Sequence, residues 1–105
     1  MLRVIGFYRW SDDASFDHEY YNSKHMHLTH ELLTPYGLIR LESDRYLLSA
    51  APVKGQIIAA SNAYFPSIST AQAALSAVGH LLMEDVKNYT TLKPELHFVD
   101  VFEHG

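Results

Sequence analysis

Apolar residues crowd the start of the chain. Residues 2–10 are dense in Val, Ile, Phe, Tyr and Trp and too few for a lone helix, which predicts a strand. Its two sides, Arg3, Ile5, Phe7 and Arg9 against Val4, Gly6, Tyr8 and Trp10, both carry apolar side chains, as in a strand covered on both faces. Ser11-Asp12-Asp13 reads as a turn with helix N-cap chemistry, and a helix is expected from about Ala14 to Leu33. Tyr21, His25, Leu28 and Leu32 form one stripe at helical spacing, with Phe16, Tyr20 and His27 on a separate flank. Pro35-Tyr36-Gly37 ends that helix.

A second strand is predicted over about Leu38 to Ser49, with Arg40, Glu42 and Asp44 sharing a partly exposed face. The stretch from Ala50 to Gly55, which contains Pro52, reads as a loop. A third strand is expected over about Gln56 to Phe65. An alanine-rich helix comes next, with Ala71, Ala74, Leu75 and Val78 on its apolar side, a break at Gly79 and a continuation through Leu82, Val86 and Tyr89. Lys93-Pro94 opens a last strand, Glu95 to Glu103. No repeat or linker divides residues 1–105, so one domain is expected. The order β-α-β-β-α-β predicts an α+β, ferredoxin-like fold: a four-stranded antiparallel sheet with two helices on one face. The other face would be bare and apolar, and a homodimer through that sheet face is the simplest closed way to cover it.

Composition narrows the classes. Hydrophobic residues make up 48% of the chain and charged residues only 19%, more apolar material than so small a domain buries alone. The net charge of −4, with scattered basic residues, argues against nucleic acid. The absence of cysteine removes disulfides, a thiolate nucleophile and cysteine-based metal sites. No apolar run approaches the roughly 20 residues of a membrane span, and the first residues lack a signal-peptide layout, so a cytoplasmic protein with no membrane partner is expected.

The segment Phe16-x-x-x-Tyr20-Tyr21-x-x-x-His25-x-x-Leu28 resembles the first-helix signature of the EthD-like family, in the dimeric α/β-barrel superfamily. Asn62-Ala63-Tyr64-Phe65, running into a small-residue helix, and Asp85-Val86-Lys87-Asn88-Tyr89, before the last strand, resemble two further family stretches. Two positions depart: His27 stands where the family has proline, and Asn62 where the third strand commonly carries an acid. The family includes a protein linked to alkyl-ether degradation, a muconolactone isomerase and polyketide-processing enzymes. The resemblance therefore implies the barrel-forming fold and cofactor-free chemistry, and leaves the reaction open.

His25 is the candidate acid–base residue, since a histidine exchanges protons near neutral pH and Tyr21, four residues earlier, can orient it or polarise a substrate oxygen. Tyr8, Trp10, Phe16, Tyr20, Asn62 and Tyr64 are the candidate substrate-binding residues. One each of Arg40 and Arg45, and of His97 and Asp100, should face the pocket, because each pair straddles its strand. His27, His30 and Glu31 have zinc-like spacing, but a solvated helix face accounts for them better, and no metal or other cofactor is expected. His18 and His104 read as exposed. The function expected is proton transfer (isomerisation, cyclisation, dehydration or decarboxylation) on a hydrophobic aromatic, polyketide-like or lactone molecule. The alternatives are a non-catalytic binding or accessory protein of a catabolic pathway, and a cofactor-free oxygenase.

Overall fold

The computed structural model describes residues 1–105. Strand β1 (Leu2–Arg9) leads into a helical stretch in three pieces: α1 (His18–Tyr20), a π turn (Tyr21–His25) and α2 (Met26–Leu33). A short 3-10 turn, Thr34–Tyr36, ends on Gly37, whose φ of 97° is left-handed backbone that glycine adopts without strain. Strands β2 (Arg40–Arg45) and β3 (Ile57–Phe65), helix α3 (Ile68–Val86) and strand β4 (Glu95–Asp100) complete the chain. The sheet is antiparallel in the order β2-β3-β1-β4. This is the ferredoxin-like α+β arrangement the element order predicts.

The helices cover one sheet face. Leu2, Val4, Ala63 and Phe65 pack there against Leu33, Ala71, Ala74 and Val78. At the other end Tyr8, Ile58 and Ala59 pack with Tyr21, Val86, Tyr89 and Leu92. Phe65 is fully buried, so its truncation to alanine costs about 3–5 kcal/mol.

Four sequence expectations are corrected. The first helix starts late, because Asp17 rather than the Ser11-Asp12-Asp13 turn caps it, its carboxylate accepting from the Tyr20 N–H. Residues 15–17 instead run extended: Phe16 bridges to Thr90, the Asp17 N–H donates to the Tyr89 carbonyl, and the Thr90 hydroxyl donates to the Ser15 carbonyl. Second, the buried stripe is Tyr21, His25, Thr29 and Leu33, while Leu28 and Leu32 are only partly buried. The π turn widens the helix by a residue and rotates the turns beyond it, so the inward face moves on by one position. Hydroxyls cap carbonyls at both ends of the turn: Ser23 donates to the Glu19 carbonyl and Thr29 to the His25 carbonyl. Third, α3 runs unbroken through Gly79. Fourth, the helix-free face is a mosaic rather than a bare apolar surface. Phe7 stacks on His97, Arg9 pairs with Glu95, Arg3 and Arg40 lie over the Tyr64 ring, and Asn62 donates to Asp44.

Candidate acid–base site

The inward stripe of the first helix brings Tyr21 and His25 against Tyr8 of the sheet. The segment after α3 supplies the remainder. Asp85, in the last turn of α3, places Oδ2 2.8 Å from His25 Nδ1. Tyr89 places its hydroxyl 3.3 Å from His25 Nε2, and that hydroxyl also hydrogen-bonds the Tyr8 hydroxyl. Tyr20 and Asn88 both donate to the second Asp85 oxygen, at 2.8 and 2.9 Å. The extended 15–17 segment, tied to residues 89 and 90, fixes the first helix against this cluster.

The surroundings set the charge states. Burial would raise the Asp85 carboxyl, but the donors Asn88, His25 and Tyr20 outweigh it and hold the group below the usual carboxylate range. Burial pushes the His25 imidazole below its ordinary value, against the pull of Asp85. At neutral pH the pair is therefore an ionised carboxylate and a neutral imidazole. Only one tautomer suits that pair: Nδ1–H donates to Asp85, and Nε2 keeps its lone pair. Burial pushes the Tyr8 phenol up to about 12, with the Tyr89 hydrogen bond opposing, and raises Tyr21 and Tyr89 as well. The phenols stay protonated and can donate, so His25 is the base of the cluster. The Tyr21 ring lies parallel to the imidazole, with centroids 5.5 Å apart, and its buried hydroxyl has no hydrogen-bond partner.

His25 and Tyr8 line a cavity of about 220 Å³ between helices and sheet, with Gly6, Ser61, Leu75, Gly79 and Leu96 among its walls. An apolar cavity of about 150 Å³ holds benzene, so this one has room for a single ring. The cavity thus has mostly apolar walls and one imidazole, whose Nε2 is engaged only by the Tyr89 hydroxyl at 3.3 Å.

No family model and no curated protein matches the chain. Solved structures do. An EthD-like protein from Ralstonia eutropha JMP134 superposes with a TM-score of 0.81 at 25% identity, over 98% of this chain and 94% of that one. The chain is thus similar to EthD-like proteins over nearly its whole length. An ethyl tert-butyl ether D (EthD) family protein from Bacillus halodurans C-125 gives 0.63 at 18% identity, over 97% and 99% of the two chains. HapK from Hahella chejuensis gives 0.60 at 13%, over 100% and 96%, and shares the fold alone.

In this chain the expected site residues divide into three groups. Tyr8, Tyr20, Tyr21 and His25 come together as described, and Phe16 packs edge-on to Tyr8 and Tyr21 at 5.2 Å. Trp10 lies at the end of β1, in the wall of a different cavity. Asn62 and Tyr64 share the helix-free face, where Asn62 donates to Asp44 and Tyr64 to Glu42. The register fixes this division: Tyr8 pairs with Ala59, so 59, 61 and 63 face the helices and 62 and 64 face away. Arg45 and Asp100 stand on the helix side of their strands, Arg40 and His97 on the other. His27 pairs with Glu31 at 3.0 Å, and no group of three His, Asp or Glu side chains is arranged to hold a metal. His18 is only partly exposed and has a buried ring nitrogen, a correction to its sequence reading. No helix is long and apolar enough to cross a membrane.

The residues that sequence reasoning missed are Asp85 and Tyr89. Both stood in a recognised family stretch, and the missing acid at Asn62 was the signal to look for another carboxylate.

Proposed function

We propose that this EthD-like protein is a small cofactor-free enzyme that moves a proton on a single-ring hydrophobic substrate, with His25 as the acid–base residue. The substrate class is a monocyclic lactone or aromatic, and the step is an isomerisation, dehydration, cyclisation or decarboxylation. One observation carries the reading: a buried, neutral His25, oriented through Nδ1 by Asp85 at 2.8 Å, lines a ring-sized apolar cavity. Nε2 takes a proton from an acidic carbon and returns it to another position. Asp85 stabilises the imidazolium formed in between. Tyr89, whose 3.3 Å bond to Nε2 is long, yields its place to the substrate, and the Tyr8 or Tyr89 hydroxyl donates to the developing oxyanion. Tyr21 and Phe16 hold the rings in place. The protein works in the cytoplasm as a homodimer through the helix-free face. The apolar and oppositely charged groups there, Phe7, Arg9, Arg40 and Glu95 among them, suit self-pairing, and a mass of two chains by light scattering is expected.

Hydrogen–deuterium exchange at the acidic carbon of α-angelica lactone and related monocyclic carbon acids, monitored by NMR, tests the reaction. Wild type accelerates exchange, and folded His25→Gln loses about 10²–10⁴ of that rate. Equal rates for the two proteins would remove His25 from the chemistry. Tight binding across the panel without exchange would favour the second reading, an accessory protein that holds a hydrophobic intermediate in the same cavity.

A further inference from the structure

A larger cavity lies apart from His25. It measures about 530 Å³, inside the roughly 300–1,000 Å³ range of sites for drug-sized ligands. Trp10, Phe16 and Ile58 form its inner wall, and the loop after β2 closes one side through Leu48 and Pro52. Phe16 of this cavity meets Tyr8 of the smaller one edge to face, so the two spaces share an aromatic partition.

Its polar chemistry has one sign. In a chain of net charge −4, no carboxylate lines this cavity, while Arg45 and His18 do. Arg45 stands on the helix side of β2, opposite Ala59, and forms no ion pair. Nδ1 of His18 is buried and hydrogen-bonds to nothing. A buried ring nitrogen is normally satisfied, and one beside an unpaired guanidinium at a cavity wall suits a shared anionic partner. Burial and the Arg45 charge push His18 below its ordinary range; an anion between them would reverse the second effect. At the rim, Leu47 holds an apolar side chain almost wholly in solvent, which an apolar ligand would cover.

We propose that this second cavity binds an apolar monoanion, an aromatic carboxylate of one or two rings, with its carboxylate on Arg45 and His18 and its ring against Trp10 and Phe16. Arg45 supplies the bidentate fork and the charge, and the aromatic walls supply the shape. The inference does not rest on the acid–base reading of His25.

Trp10 is the chain's only tryptophan, so its fluorescence reports this wall without interference. The probes are 4-tert-butylbenzoate and its neutral isostere 4-tert-butylbenzamide, titrated at pH 7.5 and low salt by Trp10 emission and by calorimetry. The benzoate is expected to perturb Trp10 and to bind about tenfold or more tighter than the amide. Arg45→Gln is expected to erase that preference while leaving the fold intact, since Arg45 is exposed and unpaired. His18→Gln weakens the benzoate several-fold, and His25→Gln leaves its affinity unchanged. Equal affinity for acid and amide, no binding of either, or a preference that survives Arg45→Gln would overturn the proposal. Loss of binding in His25→Gln with retention in Arg45→Gln would place the ligand in the smaller cavity and overturn it as well.

Discussion

Nδ1 of His25 lies 2.8 Å from a carboxylate oxygen of Asp85, a residue 60 positions further along the chain. The ring comes from the π turn of the first helix and the carboxylate from the last turn of α3. The contact has two consequences. The imidazole is locked in one tautomer, and the first helix is pinned to α3 by a charge-assisted hydrogen bond that is mostly out of solvent.

Asp85→Asn separates orientation from charge. The amide can still accept from Nδ1–H, but it can also flip and donate, so His25 loses its fixed tautomer. Proton-transfer rate is expected to fall about 10²-fold or more, and stability by about 1–3 kcal/mol as buried partners lose a charged acceptor. Parallel exchange kinetics and thermal denaturation check both. An unchanged rate in a folded variant would mean that Asp85 does not position His25.

Stability should rise with pH across the acid range and level off above about 6.5, the ordinary histidine pKa. His25 and His18 are both held below that value, so the unfolded chain binds more protons there and folding weakens as pH falls through 6.5. Asp85 is held below the usual carboxylate value and acts in the same direction lower down: its stabilisation is present above about pH 4 and is lost as pH falls through its folded value. The melting midpoint is expected to increase from pH 5 to pH 7, and the increase should shrink in His25→Gln. A midpoint that falls over that interval would reverse the assigned charge states.

Gly79→Ala should stabilise the protein by about 0.5–1 kcal/mol, because α3 is continuous there and alanine is the better helix former. A Cβ at that position meets only the Leu75 side chain, at 3.9 Å, which is ordinary contact. The same methyl projects toward the small cavity that Gly79 lines. A raised melting midpoint with weaker binding of the bulkier ring ligands is therefore expected, and calorimetry measures both. A lowered midpoint would show that the helix needs glycine at this position.

The sequence revealed the fold well, and the site unevenly, for reasons that particular residues make plain. Strand and helix order could be read because each element has its own period, and Tyr21 and His25 stood out because four residues is a contact distance on any helix. The inward face beyond His25 was not legible. Leu28 and Leu32 fit an α-helical stripe better than Thr29 and Leu33, and only the π turn moves the face on to them. Nothing in composition marks that turn, since its extra carbonyls are satisfied by ordinary hydroxyls at Ser23 and Thr29. The split of Tyr8 from Tyr64 depends on strand register, which a single sequence states weakly when both faces carry aromatics. The Asp85 contact is tertiary, made across 60 residues, and no local pattern encodes it. The late helix start has a similar origin: Ser11, Asp12 and Asp13 have the right cap chemistry, and pairing of Phe16 with Thr90 overrides it.

Proton transfer at this site requires His25 to be a neutral imidazole with a free Nε2 lone pair. Long-range proton–nitrogen NMR of uniformly labelled protein, with the His25 resonances assigned by their loss in His25→Gln, observes both ring nitrogens directly. The expected result is a proton on Nδ1 and none on Nε2 at pH 7, with a titration midpoint below 6.5. A proton on Nε2 at pH 7, or an imidazolium that persists above that pH, would contradict the assignment of His25 as the base.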